Sequence, residues 1–202
     1  SNYAVGCNNI DVHTATSCGI PVTNTPGVLT DAVAEHTFGL LMAIARRIPE
    51  SDNFTKAGRY KRWKPNLLLG VELKGKVLGI IGLGRIGAGV AERAKAMGLK
   101  VIYYDIKRNL RFEKKYKARY SALRTLLKNS DFITIHVPLL PSTRHLISSK
   151  ELDLMKKTSY VINTSRGAVI DEKALVEARK NKKIKGAALD VFENEPKLTS
   201  GL

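Results

Sequence analysis

Residues 77–105 constrain the fold of this chain more than any other stretch. They read VLGIIGLGRIGAGVAERAKAMGLKVIYYD. An apolar run (Val77, Leu78, Ile80, Ile81) meets Gly82, Gly84 and Gly87 at once. A helical pattern then runs to Met97 and stops at Gly98, and a second apolar run, 101–104, ends on Asp105. Strand, glycine turn, helix, strand and acid follow within about thirty residues, the order of a dinucleotide-binding unit. Each part has a physical task. Gly82 permits a tight turn, Gly84 leaves room for a pyrophosphate, and Gly87 lets the helix lie close on the strand. The helix N-terminus offers unpaired N–H groups and a positive dipole end to phosphates. Asp105 stands where a carboxylate accepts from both ribose hydroxyls. A glycine turn that binds nothing would not need that acid. The carboxylate also favours NAD over NADP, because it repels a 2′-phosphate, although Lys107 and Arg108 work against that preference.

Length and composition bound the rest. The 202 residues suffice for one sizeable core and a small appendage. With 44% hydrophobic and 26% charged residues the chain reads as globular and soluble, and no apolar run reaches the length of a membrane span. Two cysteines, Cys7 and Cys18, are too few and too dispersed for a disulfide framework, so a cytoplasmic location is expected. The net charge of +16 concentrates in 107–128 and around Arg179, Lys180, Lys182, Lys183 and Lys185. Such charge suits nucleic acid, or a solvated face that attracts an anionic cofactor and substrate. Few aromatics (Phe112, Tyr116, Tyr120) interleave it and no nucleic-acid motif is present, so no nucleic-acid or membrane partner is expected.

Beyond residue 76 the pattern alternates. Strands are expected at 77–81, 101–104, 132–137, 160–163 and 186–189, and helices at 86–97, 121–127, 149–155 and 172–180. Continuous apolar strands with intervening helices imply a parallel sheet covered on both faces, an α/β Rossmann-type doubly wound fold. Before it, residues 1–25 read as part of a different unit, with a strand-like SNYAVG, a helical turn at 11–17 and a short strand at 20–23. Pro26-Gly27 turns the chain, and a long helix is expected from Asp31, its cap, to Arg47, closed by Pro49. Residues 56–64 read as a helix end and a basic loop.

In such a sheet, ligands lie beyond the carboxyl ends of the strands. Topology alone therefore nominates Asp105, Val137, Pro138, Thr164, Ser165, Arg166 and Asp190. Arg166, in NTSRG just after a strand, can grip a carboxylate through two parallel N–H bonds and polarise a carbonyl. Glu195, in DVFENEP, can raise and orient a nearby histidine; Glu193 is its rival. Of the histidines, His36 reads as a packed or solvated helix residue, His136 as a lining of the cleft, and His13 and His145 as surface loop positions. None is paired with a carboxylate by sequence, and no metal-ligand spacing occurs.

With these residues in view, the chain resembles the D-isomer-specific 2-hydroxyacid dehydrogenases. The resemblance rests on VGCNNIDVHTA, GIPVTNTPGVLTDAVAEHT, GIIGLGRIG, SDFITIHVPLLPSTRHLI, LMKKTSYVINTSRGAVIDEKALVEA and GAALDVFENEP. The run RWKPNLLLGVELKGKVLGIIGLGRIG looks most like the glyoxylate and hydroxypyruvate reductase branch, with the 3-phosphoglycerate dehydrogenases second. The resemblance implies NAD as cofactor and a small 2-keto or 2-hydroxy acid as substrate. It also implies a remnant of a flavodoxin-like substrate domain in 1–25, an NAD-binding domain with its linking helix in 26–202, and a homodimer through that domain.

The resemblance implies individual roles as well. Gly82, Leu83, Gly84, Arg85, Ile86 and Gly87 would hold the pyrophosphate, and Asp105 the adenosine ribose. Val137, Pro138, Thr164, Ser165 and Asp190 would flank the nicotinamide. Arg166 would bind the substrate's carboxylate and keto oxygen, the backbone at Val5 and Gly6 would hold the carboxylate, and Glu195 would support a catalytic histidine. Family members carry that histidine in a TPH-type segment beyond DVFENEP, and this sequence stops at Leu202 before it. The chain is therefore expected to be part of a two-domain enzyme or a decayed copy of one, inactive alone; a non-catalytic NAD-sensing module is the rival from another class.

Overall fold

The computed structural model describes residues 1–7 and 9–202; Asn8, inside VGCNNIDVHTA, lies outside them. In chain order the elements are α1 (Val12–Ser17), α2 (Thr30–Ala45), α3 (Ile48–Lys56), β1 (Val77–Ile81), α4 (Arg85–Ala96), β2 (Lys100–Tyr104), α5 (Leu110–Tyr116) and β3 (Arg119–Tyr120). They continue with α6 (Leu123–Asn129), β4 (Phe132–Ile135), α7 (Ser149–Leu152), β5 (Tyr160–Asn163), α8 (Glu172–Lys180) and β6 (Gly186–Leu189). All strand pairs are parallel and the sheet order is β3-β2-β1-β4-β5-β6. The winding reverses between β1 and β4, which opens a crevice at the carboxyl ends of those strands.

The apolar strands produce this sheet because both of its faces are covered. Leu78 and Ile80 of β1 enter one core, with Val90, Ala91 and Ala94 of α4 and Ala34, Leu41 and Ala45 of α2. Ile81 enters the other, with Leu126 and Leu127 of α6, Leu152 of α7 and Leu175 of α8. Every residue of β4 is buried. A parallel strand covered on both faces needs such a continuous apolar run.

Several boundaries differ from the sequence reading. The expected strand at 20–23 does not form; irregular backbone bonds hold the segment instead, among them Ile20 N–H to Ala15 O (2.8 Å), Asn2 N–H to Thr23 O (2.7 Å) and Thr25 N–H to Ala4 O (3.1 Å). The long helix starts one residue before Asp31, which does not cap it; its carboxylate instead accepts from Arg93 Nη2 at 3.2 Å. That helix ends at Ala45, Arg47 takes a left-handed φ of 57°, and Pro49 sits in the first turn of α3 rather than closing α2. Proline is tolerated there because a first-turn N–H has no partner in the helix anyway. The strand expected at 132–137 ends at Ile135. The apolar side of α2 packs within the chain, with Phe38, Leu40 and Ile44 against the first core.

Candidate active site

The glycine turn is built by contacts that exclude side chains at two points and leave open space at a third. Gly82 has φ +93°, and a Cβ there would lie 2.9 Å from the carbonyl carbon and oxygen of His136. A Cβ on Gly87 would overlap the carbonyl oxygen of Gly82, so α4 can rest on the turn only without one. At Gly84 a Cβ would meet nothing within 4 Å. Gly84 is also the N-cap of α4, which has no side-chain cap. A twelve-residue helix thus presents uncapped first-turn amides beside space that a side chain would fill, which suits a pyrophosphate.

Asp105 is fixed to the same turn. Its Oδ2 accepts from Leu83 N–H at 2.7 Å and its Oδ1 from Lys107 N–H at 3.3 Å. The side chains of Leu83 and Ile86 pack into the core. The Arg85 guanidinium reaches the Pro26-Gly27 turn, 3.5 Å from where a Gly27 Cβ would stand. Arg108 is committed elsewhere: Nε and Nη2 each donate to Glu113 at 2.8 Å. The Arg108 fork, with help from the Tyr103 hydroxyl, holds the Glu113 carboxyl at about 2.

The other half of the crevice is organised by a residue the sequence reading passed over. Asn163, 1% exposed, ends β5. Its Oδ1 accepts from Ser165 N–H (3.0 Å) and Ser165 Oγ (2.9 Å), and its Nδ2 donates to Arg166 O (3.0 Å). A buried amide therefore shapes the loop that carries Arg166. Arg166 is half-buried, with Nη1 donating to Ser165 O at 2.7 Å. Asp190 N–H donates to Asn163 O at 3.0 Å, which joins the loops after β5 and β6. The only advance sign of Asn163 was an amide at the end of an otherwise apolar strand.

Two histidines are corrected by the fold. His36 Nε2 lies 3.1 Å from Asp190 Oδ1, and His145 Nε2 lies 2.6 Å from Glu193 Oε1, so both pair with carboxylates. Glu193 also meets Arg144 at 3.4 Å, while its N–H donates to buried Glu172 at 2.7 Å. Glu195 is exposed, and its Oε1 accepts from Phe192 N–H at 2.7 Å. His136 keeps some residue exposure, but its Nε2 is sealed off with no hydrogen-bond partner among the described residues. Burial pushes its pKa down to about 4.

Val137 is half-buried beside Gly82, and Pro138 is exposed. The carbonyls of Val5 and Gly6 accept from Asn24 and Asn2 at 2.8 Å each, within the same N-terminal segment. The fold thus gathers the nominated residues at two places: Gly82 to Gly87 with Asp105 and Val137, and Thr164 to Arg166 with Asp190.

Residues 38–201 match the family model described as D-isomer specific 2-hydroxyacid dehydrogenase, NAD binding domain. The glyoxylate reductase of Thermococcus litoralis is 54% identical over 200 residues, covering 97% of this chain and 60% of that protein. The chain therefore spans about 60% of the length of such curated relatives. Among solved structures, the NADPH-dependent glyoxylate/hydroxypyruvate reductase of Sinorhizobium meliloti, in complex with NADP and malonate, superposes with a TM-score of 0.92. It is 36% identical, covering 100% of this chain and 62% of that one. The D-lactate dehydrogenase of Aquifex aeolicus, complexed with NAD and lactic acid, gives a TM-score of 0.89 at 36% identity, covering 98% and 62%.

Proposed function

Because the chain belongs to the D-isomer specific 2-hydroxyacid dehydrogenase family, we propose that it is the NAD(H)-holding part of a reductase for small 2-keto acids of the glyoxylate or hydroxypyruvate type. The observation that carries this reading is the bond from Leu83 N–H to Asp105 Oδ2, which fixes an acid at the end of β2 beside the open space at Gly84. NAD is favoured over NADP on the same ground, and Arg108, one of the two cations that follow Asp105, is held in a two-bonded pair by Glu113.

When bound, the dinucleotide supplies or accepts the hydride. The chain's own residues position the other reactant. Arg166, past the carboxyl end of β5, holds the substrate carboxylate and draws charge toward the keto oxygen. Thr164, Ser165, Val137 and Pro138 border the nicotinamide end, and Asp190 closes it. His136 is neutral at pH 7, so it packs the turn and does not deliver the proton. Glu195, whose Oε1 is held by Phe192, would orient a proton-donating imidazole through its other oxygen. In this reading residues 1–25 belong to the substrate domain, where the backbone of Val5 and Gly6 faces the substrate carboxylate. A homodimer and a cytoplasmic location complete it, supported respectively by the half-covered flank Leu40, Ala43 and Ile44 and by the free thiols Cys7 and Cys18.

Titration with NADH, followed by its fluorescence, tests the reading. Asp105→Ala is expected to weaken NADH binding at least about tenfold, the worth of a charge-assisted bond, and to narrow the gap between NADH and NADPH. An unaltered preference counts against it. In the complete two-domain enzyme, Arg166→Lys is expected to lower glyoxylate turnover at least about a hundredfold while NADH affinity holds, because a single ammonium cannot reproduce the fork. Unchanged turnover would remove Arg166 from its role.

A further inference from the structure

Two neighbouring residues of α2 reach the loops after two different strands. Thr37 Oγ1 lies 2.7 Å from Thr164 Oγ1, just past β5. His36 Nε2 lies 3.1 Å from Asp190 Oδ1, just past β6. Thr37 is fully buried, and its hydroxyl also donates to Val33 O at 2.7 Å. A hydroxyl has one proton. With that proton given to Val33, Thr37 can only accept from Thr164, so Thr164 must be the donor of the pair. The Thr164 hydroxyl is then left with acceptor lone pairs for anything else it meets. Asp190 as a carboxylate also only accepts, and His36 is the group that steadies its Oδ1.

On the cofactor reading above, the first mononucleotide half is claimed by Asp105, and the second lies over β4 to β6. The two polar side chains closing that end would both present acceptors. We infer that His36 and Thr37 are positioning residues that lock Thr164 and Asp190 as a pair of acceptors, selecting the amide N–H₂ donor of the nicotinamide ring over a ring substituent that cannot donate. Neither α2 residue touches the ligand itself. Thr37 sets the direction of the Thr164 hydroxyl, and His36 sets the place of the Asp190 carboxylate.

The test compares three probes on the 202-residue chain by calorimetry. NAD⁺ carries the amide, 3-acetylpyridine adenine dinucleotide replaces it with a methyl ketone, and ADP-ribose lacks the ring. The unaltered chain is expected to prefer NAD⁺ over the acetylpyridine analogue by roughly threefold to tenfold, the worth of a net hydrogen bond. Thr37→Val, which keeps the shape but frees the Thr164 proton, should erase most of that preference, and Thr37→Ser should restore it. His36→Ala should weaken NAD⁺ by a similar factor. ADP-ribose affinity should change in none of them, which also shows that the variants are folded. A preference that survives Thr37→Val overturns the inference, as does a parallel loss of ADP-ribose binding, the mark of a purely structural tether. If ADP-ribose binds the unaltered chain but no preference exists, the inference fails and the cofactor reading stands. If no probe binds, both fall.

Discussion

Gly167→Ala is expected to destabilise the chain by about 3 kcal/mol or more and to weaken NADH binding with it. A Cβ at this position would overlap the carbonyl carbon and oxygen of Phe192 and the amide nitrogen of Glu193. All three are backbone atoms, so no flexible side chain can swing away. One loop carries Arg166 at the end of β5, and the other follows Asp190 at the end of β6. The second loop cannot easily retreat. Glu193 N–H is bonded to buried Glu172, and the Thr199 hydroxyl is bonded to the same carboxylate. Relief must therefore come from parting the two loops, which also parts Arg166 from Asp190. In a chain of this size the loss corresponds to a melting point lower by about 6–12 °C. Thermal unfolding and an NADH titration of the same variant check it; a melting point within a degree or two of the unaltered chain would show that the contact is not as tight as drawn.

Acid is expected to cost the fold about 3 kcal/mol between pH 6.5 and 4, through His136. The sealed Nε2 disfavours the imidazolium in the folded chain, whose pKa falls to about 4, while the unfolded chain takes up its proton near 6.5. As pH falls through that window the unfolded state binds the proton first and gains relative stability. The contribution is intact above pH 6.5 and lost once pH has passed 4. Glu113, held at about 2 by Arg108 and Tyr103, loses its part between pH 4.5 and 2, so the two windows meet only near pH 4. Urea unfolding at steps of pH, for the unaltered chain and for His136→Leu, isolates the effect. The difference between the two curves should slope between pH 6.5 and 4 and flatten on either side. Parallel curves would place His136 in contact with water.

The strand, glycine turn and helix that open the sheet were legible because their information is local. Gly82, Gly84, Gly87 and Asp105 stand in one strand-turn-helix-strand unit, and β1, β5 and β6 run over the expected residues. What was missed was short or masked. β3 is only Arg119 and Tyr120, too brief for any periodicity, and exists because Ile102 and Tyr103 of β2 offer a free edge. Helix α5, LRFEKKY, hides inside a run of positive charge; its Asn109 cap and its one buried residue, Phe112, mark it only once their contacts are seen. Asp31 looks like a cap but serves Arg93 on another helix, and Pro49 looks like a stop but starts a helix.

The doubly wound sheet, the glycine turn and the residues that follow the strand ends could all be read from neighbouring positions in the chain. Apolar periodicity and backbone freedom at glycine act over a few neighbours and leave a readable spacing. Which polar groups meet depends instead on packing between distant segments. Thr37 and Thr164 are 127 positions apart, and nothing local distinguishes His36 from a solvated helix residue or His145 from a loop one. Those partnerships depend on how α2 and the loops after β5 and β6 come to lie against one another, and packing settles that only after the sheet has formed.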